Sequence, residues 1–362
     1  MKILVDIGHP AHVHYFRNFI KKIKKHNNQI LIIARNKDVS HELLKTYDLK
    51  YVSRGKGGNN IFSKILYFPY AVFKILKEAI KFRPDFYLSF ASPYVPIASL
   101  FLKKPVITVD DTENDWLSHM FYSPFSDLII TPIFFKKKFG KNHIKINTLF
   151  ELGSIHPKYF KSDKNFKKKI GLKDSEDYVV LRFVNWNATH DINEEGFNLK
   201  SKKNIVEILS KYAKVLISSE GELPDELKKF KIKISVDQAH NLLKHAALYV
   251  GESGTMAVEA SMLGTPSILY SSLAKKLGNF ISLSEEFSLL ELCDNEDELI
   301  SSIINIFENK KSKFMWEKKS LNFILKKIDF TKFLVWLFTN YPESKRQLLI
   351  GSNQIEKIDD KL

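Results

Sequence analysis

The sequence predicts an α/β protein made of two successive doubly wound, parallel-sheet domains. Three observations predict it. Short apolar runs alternate with amphipathic helical stretches from residue 2 onward, and the same alternation restarts near residue 178. A polar, lysine-rich stretch at 158–177 separates the two series. A length of 362 residues accommodates two domains at ~100–200 residues each.

The first series opens with the strand Lys2-Ile3-Leu4-Val5-Asp6-Ile7, which breaks at Gly8-His9-Pro10. A helix at 13–25 follows, with Phe16, Phe19, Ile20 and Ile23 on one face. Then come a strand at 29–34, a helix at 39–47 and a strand at 50–52. A long helix is expected at 61–81, kinked at Pro69. Strands at 85–90, 105–109 and 128–131 and a short helix at 96–102 complete this half. The second series has strands at 178–183, 213–218, 248–251 and 266–270, with helices at 202–211, 237–245 and 255–263. Residues 296–341 read as helical and carry Trp316, Phe323, Phe333, Trp336 and Phe338. The domains are placed at 1–160 (acceptor side) and 161–335 (nucleotide side). Residues 336–362 are a helix and tail packing back on the first domain. Ligands in such sheets sit beyond the carboxyl ends of the strands, so facing domains predict a central cleft as the site.

Composition narrows the class. Hydrophobic residues make up 44% and charged residues 27%, as in ordinary globular chains. The lone Cys293 allows no intramolecular disulfide and fits a reducing compartment. Its acidic neighbours Glu291 and Asp294 offer a thiolate nothing, so it reads as structural. Charged and polar residues interrupt every candidate signal or membrane-spanning run, so a cytoplasmic protein is expected. The net charge of +15 comes mostly from lysine. Arginine, the usual base reader, is scarce, and no nucleic-acid motif appears, so nucleic acid is not expected as a partner. A solvated lysine-rich surface or peripheral attachment to an anionic membrane remains. The aromatic, basic stretch at 62–82 serves the second reading and a buried core equally well.

The strongest chemical signal is Gly251-Glu252-Ser253-Gly254-Thr255, which follows a strand and opens a helix. Free N–H groups and the helix dipole at Ser253, Gly254 and Thr255 favour an anion, and Gly254 permits close backbone approach. Glu259, one turn further, is spaced to reach a ribose. A plain serine cap accounts for the same residues more simply. In the first loop, His9, His12 and His14 invite a metal reading with little local support. His12 alone serves as a general base or acceptor contact, or the loop only caps a helix. Asp110-Asp111-Thr112-Glu113 ends a strand, where a carboxylate cluster must be solvated, paired or functional. Arg182 ends the first strand of the second series and is a good diphosphate cation. Glu220 ends the next strand on the same side, as a nucleotide contact or a cap. Asp237-Gln238-Ala239-His240 reads as a base-side loop or a cap.

These residues carry a resemblance. The segment from Gly251 to Pro266 resembles the nucleotide-binding signature of GT-B proteins. It is similar to the Ser-Gly-Gly…Glu-Glu-Ala…Leu-Gly-x-Pro stretch of UDP-N-acetylglucosamine 2-epimerases. It is also similar to the Ser-Gly-Ala…Glu stretch of the lipid-II-forming N-acetylglucosaminyltransferase. The resemblance implies phosphate contact at Ser253, Gly254 and Thr255 and ribose contact at Glu259. It implies acceptor or phosphate contact in the first loop, including Gly8 and His12, and a general base at Asp111 or Glu113. His190, in Thr189-His190-Asp191, matches the histidine of the epimerases' Thr-x-His-Arg-Arg-Glu-Asn loop, although Asp191 replaces an arginine. Val258 stands where the epimerases have the first glutamate of their pair. Across residues 1–341 the chain is identified as a member of the uncharacterised domain-of-unknown-function family 354. The hallmarks are Asp6-Ile7-Gly8-His9-Pro10-Ala11-His12-Val13-His14, Asp110-Asp111-Thr112-Glu113 and the signature above.

The expected activity is therefore transfer of a sugar from a nucleotide-sugar, foremost a UDP-sugar. The acceptor is a glycan or glycolipid in envelope or surface polysaccharide synthesis, and neither cofactor nor metal is required. The alternatives are a UDP-sugar 2-epimerase or hydrolase, and a non-catalytic protein that keeps the GT-B fold.

Overall fold

The computed structural model describes residues 1–25, 27–58, 61–184 and 196–351. The chain divides into two units, Met1–Ser154 with Lys327–Leu362, and Ile155–Lys326.

In the first unit the chain runs β1 (Lys2–Ile7), α1 (Pro10–Lys24), β2 (Gln29–Ala34), α2 (Ser40–Thr46), β3 (Tyr51–Ser53), α3 (Ile61–Phe82), β4 (Phe86–Phe90) and α4 (Val95–Leu100). It continues through β5 (Val106–Val109), α5 (Trp116–Tyr122), β6 (Leu128–Pro132), β7 (His143–Ile146) and the single turn α6 (Leu152–Ile155). The sheet order is β3-β2-β1-β4-β5-β6-β7, every pairing parallel. Strands covered on both faces need continuous apolar runs. In β1, Ile3, Leu4, Val5 and Ile7 are fully buried. The strand order reverses between β1 and β4, which makes the crevice beyond their carboxyl ends the natural ligand position.

The second unit runs α7 (Phe166–Lys169), β8 (Tyr178–Phe183), α8 (Leu199–Ser210), β9 (Lys214–Ser219), α9 (Ala239–His245), β10 (Leu248–Gly251) and α10 (Gly254–Met262). It ends with β11 (Ser267–Tyr270), α11 (Gly278–Glu285), β12 (Glu291–Cys293), α12 (Glu296–Glu308) and α13 (Ser312–Ile324). Its order is β12-β11-β10-β8-β9, again parallel, with the reversal between β8 and β10. Its core joins Val179, Leu181, Val250 and Ile268 from the sheet to Ile205, Leu209, Leu299 and Ile303 from α8 and α12.

The chain then returns to the first unit through α14 (Phe330–Thr339) and α15 (Glu343–Ile350). The return begins at Lys327 because two bonds fasten it there. Ile328 N–H donates to the Asn147 carbonyl (2.9 Å), and the Thr148 hydroxyl donates to the Ile328 carbonyl (2.7 Å). Phe330 then packs on Phe150 and Phe338 on Phe19.

Sequence periodicity left out α5, β7, α11 and β12, the strands among them only three or four residues long. α1 starts earlier than its apolar periodicity, because His9 caps it and Pro10 supplies a preset φ at its first turn. α3 runs as one element through Pro69. Cys293 is free and buried, and burial pushes its thiol up to about 11. Among the described residues no helix is long and apolar enough to cross a membrane.

Candidate functional site

In the first unit the predicted residues lie beyond the carboxyl ends of the strands, Gly8 and His12 where the order reverses between β1 and β4, and Asp111 and Glu113 after β5. Asp6 is the penultimate residue of β1 and is buried, so its carboxylate needs a partner. Arg54, just past β3, supplies it with Nε on Oδ1 (2.8 Å) and Nη2 on Oδ2 (3.3 Å). Burial works against the Arg54 charge, but the Asp6 carboxylate more than offsets it and holds the guanidinium protonated. Arg54 Nη1 also donates to the Tyr67 hydroxyl of α3 (2.7 Å), which donates to the Arg54 carbonyl. The guanidinium lies over the Tyr94 ring as well.

His12, in the first turn of α1, stacks on Phe90 at the end of β4 (4.4 Å between centroids). Its Nδ1 accepts the Gly8 N–H (3.2 Å). Burial, with Lys37 and Arg54 nearby, lowers its pKa to about 3. His12 is thus neutral and presents Nε2–H, a donor. Its geometry suits a ligand oxygen, and it cannot take a proton at Nδ1 without releasing Gly8. The His9 ring lies beside that of His12, 5.9 Å between centroids, while His14 goes elsewhere. His9 Nδ1 accepts the Ala11 N–H, and His14 packs against Tyr47. Among the described residues no three His, Cys, Asp or Glu converge as metal ligands would.

The carboxylates after β5 divide their roles. Asp110 is completely buried and saturated, accepting from Thr112 N–H, the Tyr122 hydroxyl and His119 Nε2. Glu113 is buried and accepts the Lys136 N–H (2.8 Å), tying down the chain after β6. Asp111 is half-buried, with the Thr112 hydroxyl on Oδ1 (3.2 Å). Burial, reinforced by the Asp110 carboxylate, pushes its pKa up to about 7. That is a useful value for moving a proton near neutrality. Of the two carboxylates expected as bases, Asp111 has this property, whereas Glu113 serves a backbone amide.

In the second unit Arg182 of β8 faces Gly251 of β10 across the order reversal. Its Nη1 donates to Ser218 Oγ (2.8 Å) and its Nη2 to Glu220 Oε1 (2.6 Å), while its buried Nε has no partner among the described residues. Glu220 therefore orients and neutralises Arg182 here.

Ser253 caps α10, its Oγ accepting the Met256 N–H. Among the described residues the N–H groups of Gly254 and Thr255 have no acceptor, as an anion site at a helix start requires. The structure adds a second reason for glycine at 254 to the one read in the sequence. A Cβ there would lie 2.4 Å from the Phe280 ring of α11, so glycine makes room for Phe280. Glu259 is buried and pairs with His240 of α9, Nε2 to Oε1 at 3.2 Å. The histidine expected on the base side and the glutamate expected at the ribose are thus brought together.

Sequence reading missed three groups. Glu252 is buried and accepts from Val184 N–H (2.9 Å) and Phe197 N–H (2.7 Å). Arg54 had one usable signal, a scarce arginine closing a strand on the site edge. Phe280 had none, since α11 itself was not foreseen. His190 lies outside the described residues.

Comparison with known proteins fits this architecture. The family described as "Protein of unknown function (DUF354)" matches residues 1–329. An uncharacterized protein of Methanocaldococcus jannaschii, MJ0665, is 25% identical over 282 residues, 74% of this chain and 81% of that protein. Among solved structures, the Staphylococcus aureus MnaA–UDP co-structure superposes with a TM-score of 0.67 at 11% identity, covering 95% of this chain and 97% of that one. UDP-GlcNAc 2-epimerase from Neisseria meningitidis, bound to UDP-GlcNAc, gives 0.64 at 13% identity, covering 100% and 99%. The spinosyn rhamnosyltransferase SpnG, complexed with spinosyn aglycone, gives 0.61 at 13% identity, covering 94% and 100%. The fold is of the GT-B type, shared by glycosyltransferases and UDP-sugar epimerases.

Proposed function

The chain belongs to the DUF354 family, and from that premise we propose that it is a glycosyltransferase using a nucleotide-sugar donor, foremost a UDP-sugar. The observation that carries the reading is the β8/β10 edge, where Arg182 stands beside the open N-terminus of α10. A departing diphosphate is a dianion, and helix-start amides with a guanidinium stabilise it where its charge develops. Glu259, buried beside His240, serves the ribose. In the first unit, neutral His12 donates Nε2–H to an acceptor or phosphate oxygen, and Asp111 takes the acceptor proton. Protein groups supply this stabilisation, so chelation with EDTA leaves the turnover unchanged. The acceptor class is a glycan or glycolipid of envelope or surface polysaccharide synthesis.

Calorimetric titration with UDP, GDP, CMP and their sugar conjugates tests the donor. Selective UDP binding, lost in Glu259→Ala, supports the reading; no binding to any of them overturns it.

One observation favours a second reading. A carboxyl poised near 7, like Asp111, can return a proton as well as remove it, which a UDP-sugar 2-epimerase or hydrolase needs. Val258, in place of a second glutamate, weighs against that chemistry. Incubating UDP-sugars without acceptor separates the two. Epimer or free UDP formed at a catalytic rate selects the second.

A further inference from the structure

Helix α3 breaks the pattern of a surface helix. Its inner stripe, Ala71, Ile75 and Ala79, is fully buried against the sheet. The opposite stripe should be polar. Instead it carries Phe62, Leu66, Phe73 and Ile80, with Leu66 73% and Phe73 64% exposed. The apolar surface does not stop at α3. Phe68 of α3 packs on Tyr94, which caps α4, and on Phe121 of α5. These neighbouring helices also leave large apolar groups in solvent, with Phe101 67% and Trp116 61% exposed. Scattered apolar residues on a surface are normal, whereas a continuous tract marks an interaction surface.

The charges around this tract are predominantly basic, although Lys81 lies 3.9 Å from Glu78. α3 carries Lys64, Lys74, Lys77 and Lys81 against one acid, Glu78, and Lys103 and Lys104 follow α4. Asp115, at the start of α5, is engaged in capping its own helix. A second copy of this face would bring lysine against lysine. The complementary partner is apolar in depth and negative at its surface. We propose that α3, with the ends of α4 and α5, docks on an anionic phospholipid bilayer, aromatic side chains in the headgroup layer and lysines toward lipid phosphates.

The test is flotation with vesicles of phosphatidylcholine alone and of phosphatidylcholine containing one third phosphatidylglycerol. The protein should float with the anionic vesicles only, and less so as salt rises. The exposed double variant Leu66→Glu/Phe73→Glu should lower partitioning by about tenfold or more, because both side chains leave the interface. Lys77→Gln and Lys81→Gln should each lower it roughly fivefold. Thermal unfolding of each variant confirms the fold. Several results would overturn the proposal. They are no flotation on anionic vesicles, flotation unaffected by the double variant, and a concentration-dependent dimer that the double variant abolishes. Equal flotation on neutral vesicles would remove the anionic partner and refute it as stated.

Discussion

Asp111→Asn should stabilise the protein while disabling it. The Asp111 carboxyl is raised from 3.8 to about 7, first by burial and then by Asp110. In the unfolded chain it titrates near its ordinary value. Between those two values the folded state holds a proton that the unfolded state has lost, so stability falls as pH rises through this window and stays low above it. A shift of ~3 units at ~1.4 kcal/mol each sets a ceiling of about 4 kcal/mol; water at this half-buried site reduces it to about 2–4 kcal/mol. Asparagine keeps an acceptor for the Thr112 hydroxyl and carries no charge. The variant should therefore unfold roughly 5–10 °C above the wild type at pH 8 and together with it at pH 4. Thermal melts across pH 4–9 read this directly. The same change should cost about a hundredfold or more in turnover, while wild-type turnover rises through pH 7. A variant less stable than wild type at every pH, or a gain that ignores pH, would refute the account of Asp111.

Other expectations follow from the two site edges. Gly254→Ala should destabilise by about 1–3 kcal/mol because the new methyl meets Phe280, and the added Phe280→Ala change should relieve most of that in a double-mutant cycle. Glu220→Gln should tighten pyrophosphate binding severalfold in calorimetry by releasing Arg182; weaker binding would make Glu220 a nucleotide contact instead. The His12 imidazole signals in NMR should stay flat from pH 8 to pH 5, and its depressed pKa removes stability only as pH falls from about 6.5 toward 3. Glu259→Ala should cost about 3 kcal/mol in chemical denaturation by removing the buried carboxylate that pairs with His240, and Glu259→Gln much less.

Most of the fold was legible because buried parallel strands write themselves as unbroken apolar runs, as in β1 and β8. β7 and β12 were not, since three or four residues hold too little periodicity to stand apart from a loop. The site was legible to the level of loops. Strand ends placed Gly8, Asp111, Arg182 and Ser253 at the carboxyl edges of the two sheets, the edge where ligands sit in folds of this class, because topology alone decides that placement. Roles within a loop depend on tertiary partners. Nothing local separates Asp110, saturated by Tyr122 and His119, from Asp111, left half-open with a raised pKa. Nor does any local pattern show that Gly254 yields to a ring from α11, or that Glu259 meets His240.

Glu252 has a consequence for which parts of the second unit move together. Its carboxylate fastens the amides of Val184, just past β8, and Phe197, just before α8, and its backbone leads directly into Ser253, the cap of α10. A displacement at any one of these three places is therefore carried to the other two through a single side chain.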